Sequence, residues 1–248
     1  MFGLRRGWLK LVAGVLSSGI LFLGGWLFLH RVNLFPLEEV RFEGLKRVSE
    51  AELRQILPVE RGTNLFRVNL KEVKRILERH PWVASVEVSR DLPHTLRIYV
   101  QEEDPIALVV LSGKLYFVDP RGKVFARAPR KALFDYPVVN VEKPSLLRKE
   151  ADFLRLMAWV RDKDIYLPCY ESFSQIYLGS DRIILYTKEG LRIRFDPEPL
   201  DELKADYRRL DRIMTYLYRE GLYRKAAAIR LDYPGNTALL AYREEPKR

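Results

Sequence analysis

Val40-Arg41-Phe42-Glu43-Gly44, Ser49-Glu50-Ala51-Glu52 and Asn69-Leu70-Lys71-Glu72 punctuate one stretch, Leu37 to Glu103, whose local signals decide the fold. The first is a short apolar strand closed by a glycine. The second places a serine three residues ahead of a glutamate, the pattern that caps a helix start, and predicts a helix to about Leu57. After the break at Gly62-Thr63-Asn64-Leu65-Phe66, the third repeats the capping logic ahead of an apolar stripe at helical spacing, Leu70, Val73, Ile76 and Leu77. His80-Pro81-Trp82 ends this second helix, because proline disfavours the helical conformation in the residue before it. Two alternating runs follow, Val86 and Val88 against Glu87 and Ser89, then Leu96, Ile98 and Val100 against Arg97, Tyr99 and Gln101. These read as half-buried strands.

The order strand, helix, helix, strand, strand gives two amphipathic helices over a small three-stranded sheet, a minimal two-layer core. Asn64-Leu65-Phe66, Pro81-Trp82-Val83, Arg90-Asp91-Leu92-Pro93 with Thr95-Leu96, and the close at Glu102-Glu103-Asp104-Pro105 together resemble the POTRA module of the FtsQ/DivIB family of bacterial cell-division proteins. The module is expected over residues 37–105.

At 248 residues and 48% hydrophobic content, the chain is long enough to bury one or two substantial cores and is not a disordered polymer. Its formal charge of +10 suits nucleic acid, anionic lipid or cell-wall polymer as a neighbour. Both signs are scattered along the chain instead of gathering in a basic stripe, which argues against nucleic acid. The lone cysteine, Cys169, excludes an intramolecular disulfide and a cysteine-based zinc cluster.

Leu11 to Leu29 runs about 19 residues without a charge, close to the roughly 20 that cross a bilayer as a helix. Trp8 and Trp26 stand near its ends, and Arg5, Arg6 and Lys10 precede it, so the expectation is a single transmembrane helix over residues 11–30. The basic end, residues 1–10, stays in the cytoplasm and the bulk of the chain lies outside. A cleavable signal peptide would carry a shorter apolar region and a small-x-small end; this segment closes on Trp26-Leu27-Phe28-Leu29. The connector to the first module, Arg31 to Pro36, leaves little slack and keeps that module near the membrane's outer face.

Beyond Pro105 the chain reads as short strands and turns. Ala107 to Leu111, Leu115 to Val118 and Val124 to Ala126 suit an antiparallel meander, and Val138 to Val141 adds a strand. A helix is expected over about Leu147 to Lys163, strands at Ile176 to Leu178, Ile183 to Tyr186 and Leu191 to Phe195, and a long amphipathic helix carrying Leu200, Leu203, Tyr207, Leu210, Ile213, Met214 and Leu217. The regular spacing assigns its tyrosines and Met214 to core packing, not to a cofactor box. Ala226 to Tyr233, the turn Pro234-Gly235-Asn236-Thr237, the strand Ala238 to Tyr242 and a charged tail over 244–248 finish the chain. The fold class is therefore α+β: the single transmembrane helix, the β-α-α-β-β module, then a larger mixed domain over 106–243 built on a mainly antiparallel sheet.

No Gly-x-Ser-x-Gly elbow, phosphate-cradling Gly-x-x-x-x-Gly-Lys or His-Glu-x-x-His is present. His30, His80 and His94 fall in unrelated settings, and carboxylate pairs such as Glu102-Glu103 read as solvated strand residues pointing to opposite faces. No catalytic, cofactor or metal residues are assigned, and neither a small-molecule substrate nor an enzymatic activity is expected. What the sequence does offer is an edge. Ala238 to Tyr242, with apolar Leu240 and aromatic Tyr242, carries no proline or lysine to blunt it, so a partner can add a strand there.

The second region is again similar to the family named above. Ile229-Arg230-Leu231-Asp232-Tyr233-Pro234-Gly235-Asn236 looks like that family's last hairpin, with Tyr233 at the aromatic of its entrance, Gly235 and Asn236 in its turn and Tyr242 near its end, and Pro234 as a departure. Arg182, at the mouth of a neighbouring strand, is a weaker candidate for pairing with an acidic partner residue. The resemblance implies a bitopic inner-membrane scaffold of the divisome at the septum, with FtsB- and FtsL-like single-pass partners, septal wall-synthesis proteins and the lipid bilayer as neighbours. Two alternatives from other classes are a POTRA-containing membrane-tethered assembly factor and a membrane-tethered wall-processing enzyme. An outer-membrane barrel protein is set aside because nothing after Pro105 is long enough for a barrel.

Overall fold

A computed structural model describes residues 34–130, 136–233 and 237–243. The charge-free segment Leu11 to Leu29, the turn residues Pro234, Gly235 and Asn236 and the tail 244–248 lie outside them. Among the described residues no helix is long and apolar enough to cross a membrane. The chain forms two compact units that divide between Glu102 and Glu103.

The first unit contains β1 (Glu39–Glu43), α1 (Glu50–Ile56), α2 (Leu70–Leu77), β2 (Val83–Asp91) and β3 (Thr95–Glu102), with a 3₁₀ turn at Leu65–Arg67. The caps act as their residue types dictate. Ser49 Oγ accepts the Glu52 N–H at 3.2 Å, Asn69 Oδ1 accepts that of Glu72 at 3.2 Å, and Asn64 Oδ1 accepts that of Phe66 at 2.9 Å. Each satisfies a donor that the first helical turn would otherwise leave unpaired. The sheet order is β1-β3-β2, with β3 in the middle, parallel to β1 and antiparallel to β2. Leu96, Ile98 and Val100 on β3 close over Leu53, Val73 and Leu77 from the helices. Gly44, at φ +83°, turns the chain out of β1 where a Cβ would stand 2.3 Å from the Val100 carbonyl oxygen, so a side chain there meets both strain and a clash.

The solvated reading of Glu102-Glu103 is overturned. The Glu102 carboxylate accepts three successive backbone N–H groups, from Lys46 at 2.7 Å, Arg47 at 3.0 Å and Val48 at 3.0 Å. The bend after Gly44 leaves these donors without strand partners, and an anion on the neighbouring strand end supplies them. Burial alone would raise this carboxyl; the three N–H groups and Arg47 outweigh it and hold it below the usual carboxylate range. Glu102→Gln is therefore expected to cost this unit about 2 kcal/mol in denaturant titrations. Because the native group titrates below its unfolded value, the difference is complete above the ordinary carboxylate range and fades as the pH falls through the lowered native value. Glu103, by contrast, is buried in the second unit, where Lys123 Nζ bonds its carboxylate and Arg121 lies 3.7 Å away.

The second unit carries β4 (Ala107–Leu111), β5 (Lys114–Val118), β6 (Val124–Arg127), β7 (Val138–Val141), α3 (Leu146–Lys149), α4 (Ala151–Lys163), β8 (Phe173–Leu178), β9 (Ile183–Thr187), β10 (Arg192–Phe195), α5 (Leu200–Arg219), β11 (Ala226–Arg230) and β12 (Leu239–Tyr242). The helix expected over 147–163 is thus two helices meeting at Glu150, and the strand expected to reach Tyr233 ends at Arg230. All nine strands share one sheet in the order β12-β11-β10-β9-β8-β7-β4-β5-β6. The meander β4-β5-β6 is antiparallel as expected, whereas β4 with β7, β7 with β8 and β10 with β11 run parallel. Parallel neighbours require a crossover, and α5 supplies the one between β10 and β11.

Packing follows from register. Val109, Val139, Ile176, Leu185, Ile193, Ile229 and Leu240 are successive cross-strand partners, one row from β4 to β12. Directly opposed residues share a face, so the row forms one apolar band beneath α4 and α5, whose Phe153, Leu154, Met157, Tyr207, Leu210 and Met214 fill the same core. Tyr207 and Met214 thus sit in the core as the periodicity suggests; the Tyr207 hydroxyl donates to the Pro168 carbonyl at 2.5 Å.

Candidate partner-binding edge

β12 exists because Leu239-Leu240-Ala241-Tyr242 alternates against β11. Leu240 faces Ile229 and joins the core band, while Leu239 faces Arg230 on the other side. β11 alternates from Ala228 to Leu231, beyond a register irregularity between Ala226 and Ala228, and one bond on each side of that irregularity fixes the direction of the backbone groups. Leu231 N–H donates to the Arg194 carbonyl of β10 at 2.9 Å, and Arg243 N–H donates to the Lys225 carbonyl ahead of β11 at 2.7 Å. Counting back from Arg243, the N–H and C=O groups of Ala241 and Leu239 point at β11, and those of Leu240 and Tyr242 point away from it. No strand pairs with that outer side among the described residues. The two residues singled out in the sequence therefore carry the outward backbone groups of this edge.

The side chain of Leu240 adds an apolar floor. Leu240 and Ala238 line a groove of about 450 Å³ together with Ile213, Tyr216, Arg212 and Arg209 of α5 and Ile229 of β11. Every other member of the cross-strand row is fully buried, whereas Leu240 is only half-buried and Tyr242 is 50% exposed. The band is cut off where a further strand would cover it. Arg243 pins the end of the edge, its guanidinium donating to the Glu189 carbonyl at 2.7 Å.

The other residues assigned from the sequence divide. Tyr233 lies beside the exit of β11, its ring 5.0 Å from the Arg230 guanidinium. Gly235 and Asn236 lie outside the described residues. Arg182 immediately precedes β9, which stands three strands in from β12, roughly 14 Å away at ~4.8 Å per strand. It is not on a neighbouring strand, and its guanidinium is 3.7 Å from Asp181.

Sequence reasoning missed Arg209. On α5, and only 8% exposed, it donates to the carbonyls of Leu231 at 2.5 Å and Thr237 at 3.2 Å, the two ends of the β11–β12 connection, and pairs with Asp206 at 3.0 Å. The one available signal was an Asp206–Arg209 pair at helical spacing beside the apolar stripe. A second recess, about 390 Å³, lies on the far side of Arg209 among Asp196, Glu198, Glu202, Asp206, Asp232 and Tyr233. Burial first, then the neighbouring carboxylates, raise Glu198. In Asp232 the bond from Arg230 and the charge of Arg194 prevail over burial and lower the carboxyl. Among the described residues no group of His, Cys, Asp and Glu could hold a metal ion.

Comparison with known proteins gives the following likenesses. Residues 35–103 match the family described as POTRA domain, FtsQ-type. The cell division protein FtsQ of Anaeromyxobacter sp. (strain K) is 32% identical over 215 residues, covering 84% of this chain and 71% of that protein. Its counterpart from Myxococcus fulvus (strain ATCC BAA-855 / HW-1) is 31% identical, covering 90% and 80%. Among solved structures, the major extracytoplasmic domain of the cell division protein DivIB from Geobacillus stearothermophilus aligns at 17% identity and a TM-score of 0.31, covering 41% of this chain and 85% of that one.

Proposed function

The chain belongs to the FtsQ/DivIB family of bacterial cell-division proteins, and from that premise we propose that it is a bitopic inner-membrane scaffold of the divisome. In this reading residues 11–30 cross the membrane, both folded units stand outside, and the second captures FtsB- or FtsL-like single-pass partners by strand addition at β12. The observation that carries it is the pairing of outward backbone groups at Leu240 and Tyr242 with an apolar band that ends, incompletely covered, at Leu240. An added strand would pair through those two residues and lay an apolar side chain beside Leu240 in the groove against Ile213 and Tyr216. Septal wall-synthesis proteins would then be gathered through those partners, with no catalytic step by this chain.

Amide hydrogen exchange of the full chain with and without a candidate partner tests this reading. Protection should rise at the amides of Leu240 and Tyr242, which are outward-facing, and change little at Ala241, already directed at β11. Binding that leaves Leu240 and Tyr242 exchanging as before would rule out strand addition. A fluorescent fusion should also concentrate at midcell; uniform membrane signal would contradict the divisome role.

A further inference from the structure

We propose that the end of the first unit where the chain arrives from its amino-terminal stretch is a lipid-surface contact, in which Leu34, Phe66 and Leu92 settle at the boundary between headgroups and acyl chains. This rests on the membrane-spanning reading of residues 11–30. Among its described residues the first unit exposes five large hydrophobic side chains, Leu34, Ile56, Phe66, Leu92 and Tyr99. Single exposed apolar residues are ordinary; three gathered at one end are not.

The geometry gathers them. Pro36 bridges to Asn64, Leu65 N–H donates to the Phe35 carbonyl at 2.8 Å, and the Phe35 and Phe66 rings meet edge-on at 5.1 Å. This places Leu34 and Phe66 on adjoining segments. Leu92 lies in the β2–β3 turn, and the same turn's His94 carbonyl accepts the Glu38 N–H at 2.9 Å. Arg90, two residues before Leu92, holds its guanidinium 5.7 Å from the Phe66 ring centre while donating to the Leu65 and Val68 carbonyls. Leu34, Phe66 and Leu92 are 48%, 55% and 54% exposed. Tyr99, paired with Glu43 at the far end of β1, belongs to the opposite end.

Chain length selects the occupant. Only five residue steps separate Leu29, the last of the charge-free run, from Leu34, a reach of at most about 18 Å fully extended. Side chains lying in the interface enter roughly 5–10 Å below the headgroups, so the patch is within reach of the bilayer its own chain would enter. Arg67, adjacent to Phe66, is exposed and Arg31 stands in the connector, alongside the exposed Glu38. The nearby Asp91 is neutralised by Arg97 at 2.7 Å. Apolar anchors beside exposed arginines suit an anionic leaflet.

The test uses the full chain in vesicles of phosphatidylcholine, with and without phosphatidylglycerol, carrying lipids brominated along the acyl chains. In a Cys169→Ser background, an environment-sensitive fluorophore is attached in turn at Phe66→Cys, Leu92→Cys, Tyr99→Cys and Leu21→Cys. Quenching at positions 66 and 92 is expected to exceed that at 99 several-fold, to grow with phosphatidylglycerol, and to lose that growth in Arg67→Glu. If position 21 is quenched while 66 and 92 match 99, the span stands and the lipid contact is wrong, including the case in which another protein covers the patch. If position 21 is itself unquenched, the spanning reading fails and this proposal with it.

Discussion

Leu240→Lys is expected to weaken partner capture by about 100-fold or more, near 2.7 kcal/mol, while the unfolding midpoint of the second unit stays close to wild type. Two effects combine. Lysine on an edge strand is a natural device against strand addition, because its charge cannot be buried under an incoming chain. Here it would also stand in the groove beside Arg212 and Arg209, where an apolar partner side chain is expected. Its aliphatic stem can still cover Ile229 while the ammonium reaches solvent, which is why the fold should tolerate it. Tyr242→Pro separates backbone from side chain. The Tyr242 N–H points away from β11, so proline removes a donor used only by an added strand, and prolines are tolerated at such edge positions. Both variants should lose the partner in copurification and titration. Wild-type affinity in both, with the domain folded, would place the interface elsewhere.

The first unit was legible because its signals are local. Ser49, Asn64 and Asn69 announce helix and turn starts within three residues of the donors they satisfy, and alternation on β2 and β3 marks their buried faces. The role of Glu102 was hidden because its partners are Lys46, Arg47 and Val48, whose free N–H groups exist only once the bend after Gly44 has formed. In the second unit the strands could be found, but not their order. Nothing near Arg182 says that two strands separate β9 from β12, and no local pattern distinguishes the parallel neighbours β4 and β7 from another hairpin. The sequence marks Leu240 only by its position on a bare terminal strand; that it ends an apolar row beginning at Val109 is visible only in the assembled register. Arg209 was hidden for the reason that makes it useful: its partners are the carbonyls of Leu231 and Thr237, and main-chain acceptors leave no mark in a sequence.

Arg209→Leu is the substitution expected to damage the second unit most, by on the order of 3 kcal/mol. The leucine fills much of the same space, so little of the loss is cavity. It comes from stripping donors from the Leu231 and Thr237 carbonyls and from leaving Asp206 without its cation. Because those carbonyls bracket the β11–β12 connection, the edge strand should loosen first, with faster exchange at the inward amides of Leu239 and Ala241, and weaker partner binding as a consequence. The pH dependence identifies the ionic share. Burial holds the Asp206 carboxyl above its usual range, Arg209 pulls it down, and Glu202 and Asp196 push it up. Removing Arg209 raises it further. A carboxyl that titrates higher in the native state than in the unfolded chain disfavours folding when ionised, so the penalty is complete above the raised native value and shrinks as the pH falls through it toward the unfolded range. The gap between variant and wild type in denaturant titrations should therefore be wider near neutrality than in mild acid. Adding Asp206→Asn should remove that pH dependence and leave the part due to the two carbonyls. A gap equal at both pH values would mean that Arg209 supports the binding edge through its main-chain bonds alone.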